Sequence, residues 1–72
     1  MSVKWVSAAS TDGNLLANWN EGGSPPATLV GKDLILDATS VVNCTFTAAP
    51  GMASITRAAG YTGSLSGGGF LL

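Results

Sequence analysis

Residues 33–65 read DLILDATSVVNCTFTAAPGMASITRAAGYTGSL, and this segment carries the clearest structural signal in the chain. Aliphatic, β-branched and aromatic residues come in short runs, and each run is bounded by small or turn-forming residues. Such runs are typical of several short β-strands in close succession, with tight turns between them. The segment therefore predicts an all-β protein with no substantial helix.

Strands are predicted at residues 33–37, 41–47, 52–57 and 61–65. Successive side chains of a strand point to opposite faces, so each run can present one apolar face to a core. Tight corners between strands of similar length, without the pattern of a crossover helix, leave two architectures open: a short β-solenoid or a small β-sandwich. We favour the solenoid. Its predicted interior consists of Leu34, Leu36, Val42, Phe46, Ile55 and Leu65.

The 72 residues allow a single small β domain, in which we distinguish two parts. Residues 1–32 are predicted to be a loop-rich N-terminal cap, and residues 33–72 a set of short-strand coils. Within the cap we expect a strand at 4–7, a short helical turn at 14–18 and a loop at 18–26. Glycines and prolines in that loop oppose regular strand pairing.

The size and apolar composition of the chain indicate association with other chains. Small domains bury little surface and usually gain stability from disulfides, a metal or association. Cys44 is the only cysteine and there is no histidine, so the sequence offers neither an intrachain disulfide nor a structural zinc site. The hydrophobic fraction is 46% and the mean hydropathy +0.37, which indicates apolar surface that meets other chains. We therefore expect a homo-oligomer, with a trimer favoured.

Charge and apolar runs argue against nucleic acid and membrane as partners. Charged residues make up 10% of the chain, and the cations Lys4, Lys32 and Arg57 are too scattered to neutralise a phosphate backbone. Arg57 is predicted to pair with Glu21 or to cross a subunit boundary. No signal peptide and no apolar run near the ~20 residues of a membrane span is visible. We expect synthesis in the host cytoplasm.

Few residues could carry catalysis or bind a cofactor or metal. Asp33 and Asp37 are the only close carboxylate pair, and at ~3.3 Å per residue they lie roughly 13 Å apart, too far for a glycosidase pair. We interpret them as strand-end residues that cap turns. Cys44 lies between Val42 and Phe46 on the predicted inward face, which predicts a buried, inert thiol. The sequence predicts no enzyme activity, no cofactor and no metal site.

The aromatic side chains allow two interpretations. Trp5, Trp19 and Tyr61 could form a platform on which sugar rings stack, or they could anchor the core, which is the commoner role in small β proteins. The last three residues of the chain are apolar and could cover an open end or contact a neighbour. The candidate interface residues are Trp5, Trp19, Tyr61, Phe70, Leu71 and Leu72.

Several short motifs resemble the opening module of phage and bacterial β-helical surface proteins. WVS at 5–7, NWN at 18–20, PP at 25–26 and KDLILDATS at 32–40 are similar to the aromatic-Val strand, the Asn-Trp-Ser loop and the Asp-rich strand of those modules. AGYTGSL at 59–65 is similar to the corner and strand that start their repeated coils. The resemblance implies a capping or attachment unit of a virion or surface assembly.

Composition and resemblance together give the functional expectation. We expect a phage virion structural protein, in the form of a capsid decoration protein that stabilises the shell. It would bind the major capsid protein or another virion protein by burying apolar surface repeatedly over a lattice. The alternative is a carbohydrate-binding or adhesive module of a tail or surface assembly.

Overall fold

The structure is a computed structural model that describes residues 2–67. These residues contain six short strands, one 3-10 turn at Leu16–Asn18 and no α-helix, so the predicted all-β class is confirmed. Within the same residues, no helix has the length and apolar character needed to cross a membrane. The strands are β1 Ser2–Trp5, β2 Trp19–Asn20, β3 Asp33–Leu36, β4 Cys44–Thr45, β5 Ser54–Arg57 and β6 Leu65–Ser66.

The strands form two sheets that advance with the same step. One sheet has the order β2-β1-β3-β5, and the other consists of β4 and β6. All strand pairs are parallel except β1 with β2. Asp33 pairs with Ser54 in the first sheet and Thr45 with Ser66 in the second, a step of 21 residues in both. The step aligns polar side chains, since the Ser54 hydroxyl donates to the Asp33 carboxylate at 2.8 Å.

The observed strands are shorter than predicted, because the corners between them take up more of the chain. The predicted strand at 41–47 reduces to β4, and the one at 61–65 begins only at Leu65. In the corner before β4, the Asp37 carboxylate accepts the backbone N–H of Thr39 at 2.8 Å. In the corner before β6, the Tyr61 N–H donates to the Ala58 carbonyl at 3.0 Å. These donors serve turns instead of sheet ladders.

The N-terminal part is more regular than predicted. The first strand spans Ser2–Trp5 instead of 4–7, and the helical turn is confined to three residues. Strand β2 lies inside the region predicted to be a loop, and it pairs antiparallel with β1. The chain turns back directly after β2 at Gly22 and Gly23, whose φ angles are 67° and 106°. Positive φ at both positions is the requirement of a type I′ turn, and glycine meets it without strain.

A single core draws on both sheets and on the loops between them. Every second residue of β1 and β3 is buried, which follows from the alternation of side chains along a strand. Of the six residues predicted to be interior, Leu34, Leu36 and Phe46 are buried, while Val42, Ile55 and Leu65 are partly buried. The buried hydrophobic residues are Val3, Trp5, Trp19, Leu29, Leu34, Leu36, Cys44, Phe46 and Tyr61.

Candidate assembly interface

One end of the strand stack is covered by the chain itself, and we call it the covered end. Strand β2 pairs with the outer edge of β1, and Asp12 lies parallel beside Thr45 of β4. The carbonyls of Asp12 and Gly13 accept hydrogen bonds from the Asn18 side-chain amide and the Trp19 indole N–H, each at 2.9 Å. Backbone acceptors at this end therefore have partners within the chain.

The opposite end, formed by β5 and β6, is the bare end. Within residues 2–67, each of these two strands is paired along one edge only. The N–H groups of Ser54 and Ala58 donate toward the β3 side, at 3.4 and 2.7 Å. Because parallel ladders use alternate residues on either side, the N–H groups of Ile55 and Arg57 face the unpaired edge. Such an edge can pair with another strand.

The hydrophobic core extends to the bare end without a cover. Residues that pair across neighbouring strands form a row, and Val3, Leu34 and Ile55 share one. Val3 and Leu34 are fully buried, whereas Ile55 is only partly buried. In the other sheet Cys44 is fully buried, but Leu65 in the same row is partly buried. A further layer of apolar residues would complete both rows.

Arg57 stands where its row changes from apolar to charged. It pairs with Leu36, which is fully buried, but its own side chain is exposed. Its guanidinium donates a hydrogen bond to the Gly63 carbonyl at 3.1 Å. It also lies over the Tyr61 ring, 5.7 Å from the ring centre, where a cation–π attraction holds it. The guanidinium is thereby positioned at the bare end.

The ion pairs leave Arg57 without a carboxylate partner. Lys4 Nζ lies 3.4 Å from an Asp37 oxygen, and Lys32 Nζ lies 2.8 Å from a Glu21 oxygen. The predicted pair between Arg57 and Glu21 is therefore wrong, because Glu21 at the covered end is already paired with Lys32. Among residues 2–67, Arg57 is the one cation with no carboxylate within salt-bridge distance.

Tyr61 supports the corner beneath Arg57. Its hydroxyl donates to the Val42 carbonyl at 2.7 Å and to the Ser64 carbonyl at 3.1 Å. Burial of the side chain raises the pKa of Tyr61 above its usual value, so the hydroxyl stays protonated and available as a donor. The corner is thus fixed by one phenol and carries the guanidinium on top of it.

Gly63 is needed in this corner for space. A methyl group on its Cα would overlap the Val41 carbonyl oxygen and lie 2.8 Å from the Tyr61 hydroxyl oxygen. We expect Gly63→Ala to lower the free energy of unfolding by about 1–3 kcal/mol, because the backbone must shift. Urea unfolding followed by circular dichroism measures the loss. The exposed neighbour Thr62 provides the control Thr62→Ala, expected within about 0.5 kcal/mol. Equal midpoints for both variants would contradict the packing argument.

The candidate interface residues Trp5, Trp19 and Tyr61 belong to the core of their own chain. They are 0%, 1% and 5% exposed. The Trp5 indole N–H donates to the Val42 carbonyl at 2.9 Å, and its ring packs edge-on against Trp19 with centres 5.0 Å apart. Their burial corrects the prediction that they contact another chain, and it removes the proposed sugar platform. The other three candidates, Phe70, Leu71 and Leu72, lie outside the described residues.

Catalytic and metal-binding chemistry has little support in the described part of the chain. Cys44 is fully buried, and this desolvation raises the pKa of its thiol to about 12, which keeps it from acting as a nucleophile. Hydrogen bonds from Thr39 hold the pKa of Asp37 below its ordinary value, which confirms its role as a turn cap. Residues 2–67 contain no group of three or more His, Cys, Asp or Glu side chains that could hold a metal.

An open groove of about 220 Å³ lies away from the bare end. It is smaller than the roughly 300–1,000 Å³ of small-molecule sites. The Asn14 side-chain oxygen on its wall already accepts the backbone N–H groups of Thr47 and Ala48. The bare end is therefore the better candidate site. The groove is lined by Asn14, Leu16, Ala27, Thr28, Leu29 and Pro50.

Comparison of the chain with protein-family models, with curated proteins and with solved structures found no match.

The sequence reasoning missed the position of Arg57 and the spacing that creates it. A signal was present, because DLIL at 33–36 and SITR at 54–57 share an aliphatic second position one step of 21 residues apart. NCT at 43–45 and SLS at 64–66 repeat the same offset. Aligning these segments places Arg57 opposite Leu36, and so marks the row in which charge replaces an aliphatic residue.

Proposed function

We propose that this chain is a structural module that opens a β-solenoid in a phage virion or bacterial surface assembly. The observation that carries the proposal is the shared step of 21 residues in two separate parallel ladders, combined with one covered and one bare end. The covered end starts the stack, and the bare end passes its strand pairing and its core to whatever follows.

The shared step supports a coil that visits both sheets in each turn. The connection from β3 to β5 runs through β4, and β6 follows β5 in the same way. Parallel strands usually need a crossover helix, and here β4 occupies that place in the chain. A repeating coil buries apolar residues only against the coils before and after it, so its last coil stays incomplete. The partly buried Ile55 and Leu65 fit this description.

The occupant that we propose for the bare end is a further coil of the same repeat. A strand parallel to β5 would extend the rows of Ile55 and Leu65, which need aliphatic residues to complete them. A second copy joined head to tail would offer the two-residue β2 to the four-residue β5, which is a poor match in length. The capsid decoration role is the setting we propose within virions, since it uses stability and association and needs no catalytic group.

The test appends a copy of residues 33–53 to the full chain, behind a spacer that starts the copy one 21-residue step after Ser54. The N–H groups of Ile55 and Arg57 should then gain at least about tenfold protection from hydrogen exchange, measured by NMR, because they acquire acceptors. The control lengthens the spacer by one residue, which turns the aliphatic face of the copied strand outward.

Protection in the in-register chain and not in the control supports the proposal. Equal exchange in both chains overturns it. Light scattering on the unextended chain tests the second copy as occupant: a dimer in which these two N–H groups are already protected would replace the further coil by self-association.

A further inference from the structure

We infer that the coil which docks on the bare end carries an Asp or Glu in the row of Arg57. This inference rests on the proposed function, since it specifies the chemistry of the occupant proposed there. It goes beyond shape and apolar matching, because it predicts a charge that the docking strand must bring to one position.

The other charged groups of residues 2–67 have partners within the chain. Lys4 and Lys32 pair with carboxylates, and the two remaining carboxylates, Asp12 and Asp33, accept hydrogen bonds from the Asn14 N–H and the Ser54 hydroxyl. The net charge of the chain is −1, so excess positive charge is not a general property of its surface. The unpaired guanidinium is a local feature of the bare end.

The row geometry brings the docking strand close to this guanidinium. Neighbouring strands lie about 4.8 Å apart, and residues in one row place their side chains side by side. Docking would therefore remove water from Arg57, and covering a charge without a partner costs free energy. The Gly63 carbonyl and the Tyr61 ring satisfy only part of a guanidinium that has five N–H donors. A carboxylate in the next row position can accept two of the remaining donors together.

An aliphatic residue in that position would not serve Arg57 in the same way. In the row itself, Leu36 lies on the buried side of Arg57, and the guanidinium extends toward the Gly63 corner instead of the core. A docking strand with Leu in the matched position would complete the packing but leave the charge covered and unpaired. The position next to Arg57 therefore differs from the positions next to Ile55 and Leu65, which call for aliphatic residues.

The test uses the full chain extended in register by the copied coil, with three residues compared at the position copied from Leu36. That position is occupied by Leu, by Asp or by Asn, and Asn matches Asp in shape and strand preference without the charge. The protection factor of the Ile55 N–H against hydrogen exchange is the readout. We expect the Asp coil to exceed the Asn coil about fivefold, as for a favourable, partly exposed ion pair.

A matched background assigns the effect to Arg57. In Arg57→Gln chains the difference between the Asp and Asn coils should vanish, and in 0.5 M NaCl it should shrink in the wild-type background. Equal protection by Asp and Asn, or a difference that persists in Arg57→Gln, overturns the inference and leaves the proposed function standing. Lack of protection by all three coils overturns both.

Discussion

Replacing Trp19 with alanine is expected to lower the free energy of unfolding by about 3–5 kcal/mol. The side chain is 1% exposed, and its ring stacks on Phe46 with centres 6.1 Å apart. Its indole N–H is the donor to the Gly13 carbonyl at the covered end, at 2.9 Å. Truncation removes the packing and leaves a buried acceptor unpaired. A chain of this size has only about 4–11 kcal/mol of stability, so the variant should be largely unfolded by 37 °C.

Two further variants separate size from hydrogen bonding. Leu15→Ala removes a side chain that is 47% exposed and should change the free energy of unfolding by less than about 1 kcal/mol. Trp19→Phe retains an aromatic ring but loses the N–H, so an intermediate loss is expected. Urea unfolding followed by far-ultraviolet circular dichroism measures all three. A midpoint for Trp19→Ala equal to that of Leu15→Ala would contradict the role of Trp19 as a core anchor.

The second large effect concerns the reactivity of Cys44. Its pKa of about 12, against an ordinary value of 9.0, lowers the thiolate fraction at pH 8 about a thousandfold. Because the thiolate is the reactive form, alkylation by iodoacetamide in native buffer should be slower than in urea by at least that factor. The side chain is also fully buried, so the reagent reaches it only when the structure opens.

The control introduces a thiol on the exposed face of β6 by Ser66→Cys. In that variant one thiol should react quickly and Cys44 slowly. The two sites fall on opposite sides of Arg57, so trypsin separates them and mass spectrometry measures each rate. Equal rates at the two sites would show that Cys44 is accessible and that its row is not part of the core.

The local pattern was a reliable guide to the strands themselves. Alternation along residues 33–36 predicted which side chains of β3 are buried, because a strand sends successive side chains to opposite faces whatever it pairs with. The same reasoning placed Cys44 and Phe46 inside. It failed at strand ends, where the corner around Asp37 and Thr39 uses residues that are also compatible with a strand.

The aromatic residues show why the site was harder to predict. A tryptophan in a small β protein can cover a core or face a partner, and the residues around it in sequence do not distinguish the two. Trp19 became part of the core because Trp5, Phe46 and the Gly13 carbonyl meet it there, and they come from three separate segments. The partner of Glu21 was missed for the same reason, since Lys32 reaches it only across a turn and a loop.

By itself, the sequence determined that the chain is all-β, that its strands are short and that Cys44 is buried, because these properties depend on neighbours within a few residues. The tertiary structure determined the step of 21 residues, the difference between the two ends and the position of Arg57 at the bare one. Those properties depend on which strand edges pair, and backbone hydrogen bonds between strands are almost the same for every residue type. Register is therefore selected by the packing of the whole core, and not by any one segment of the chain.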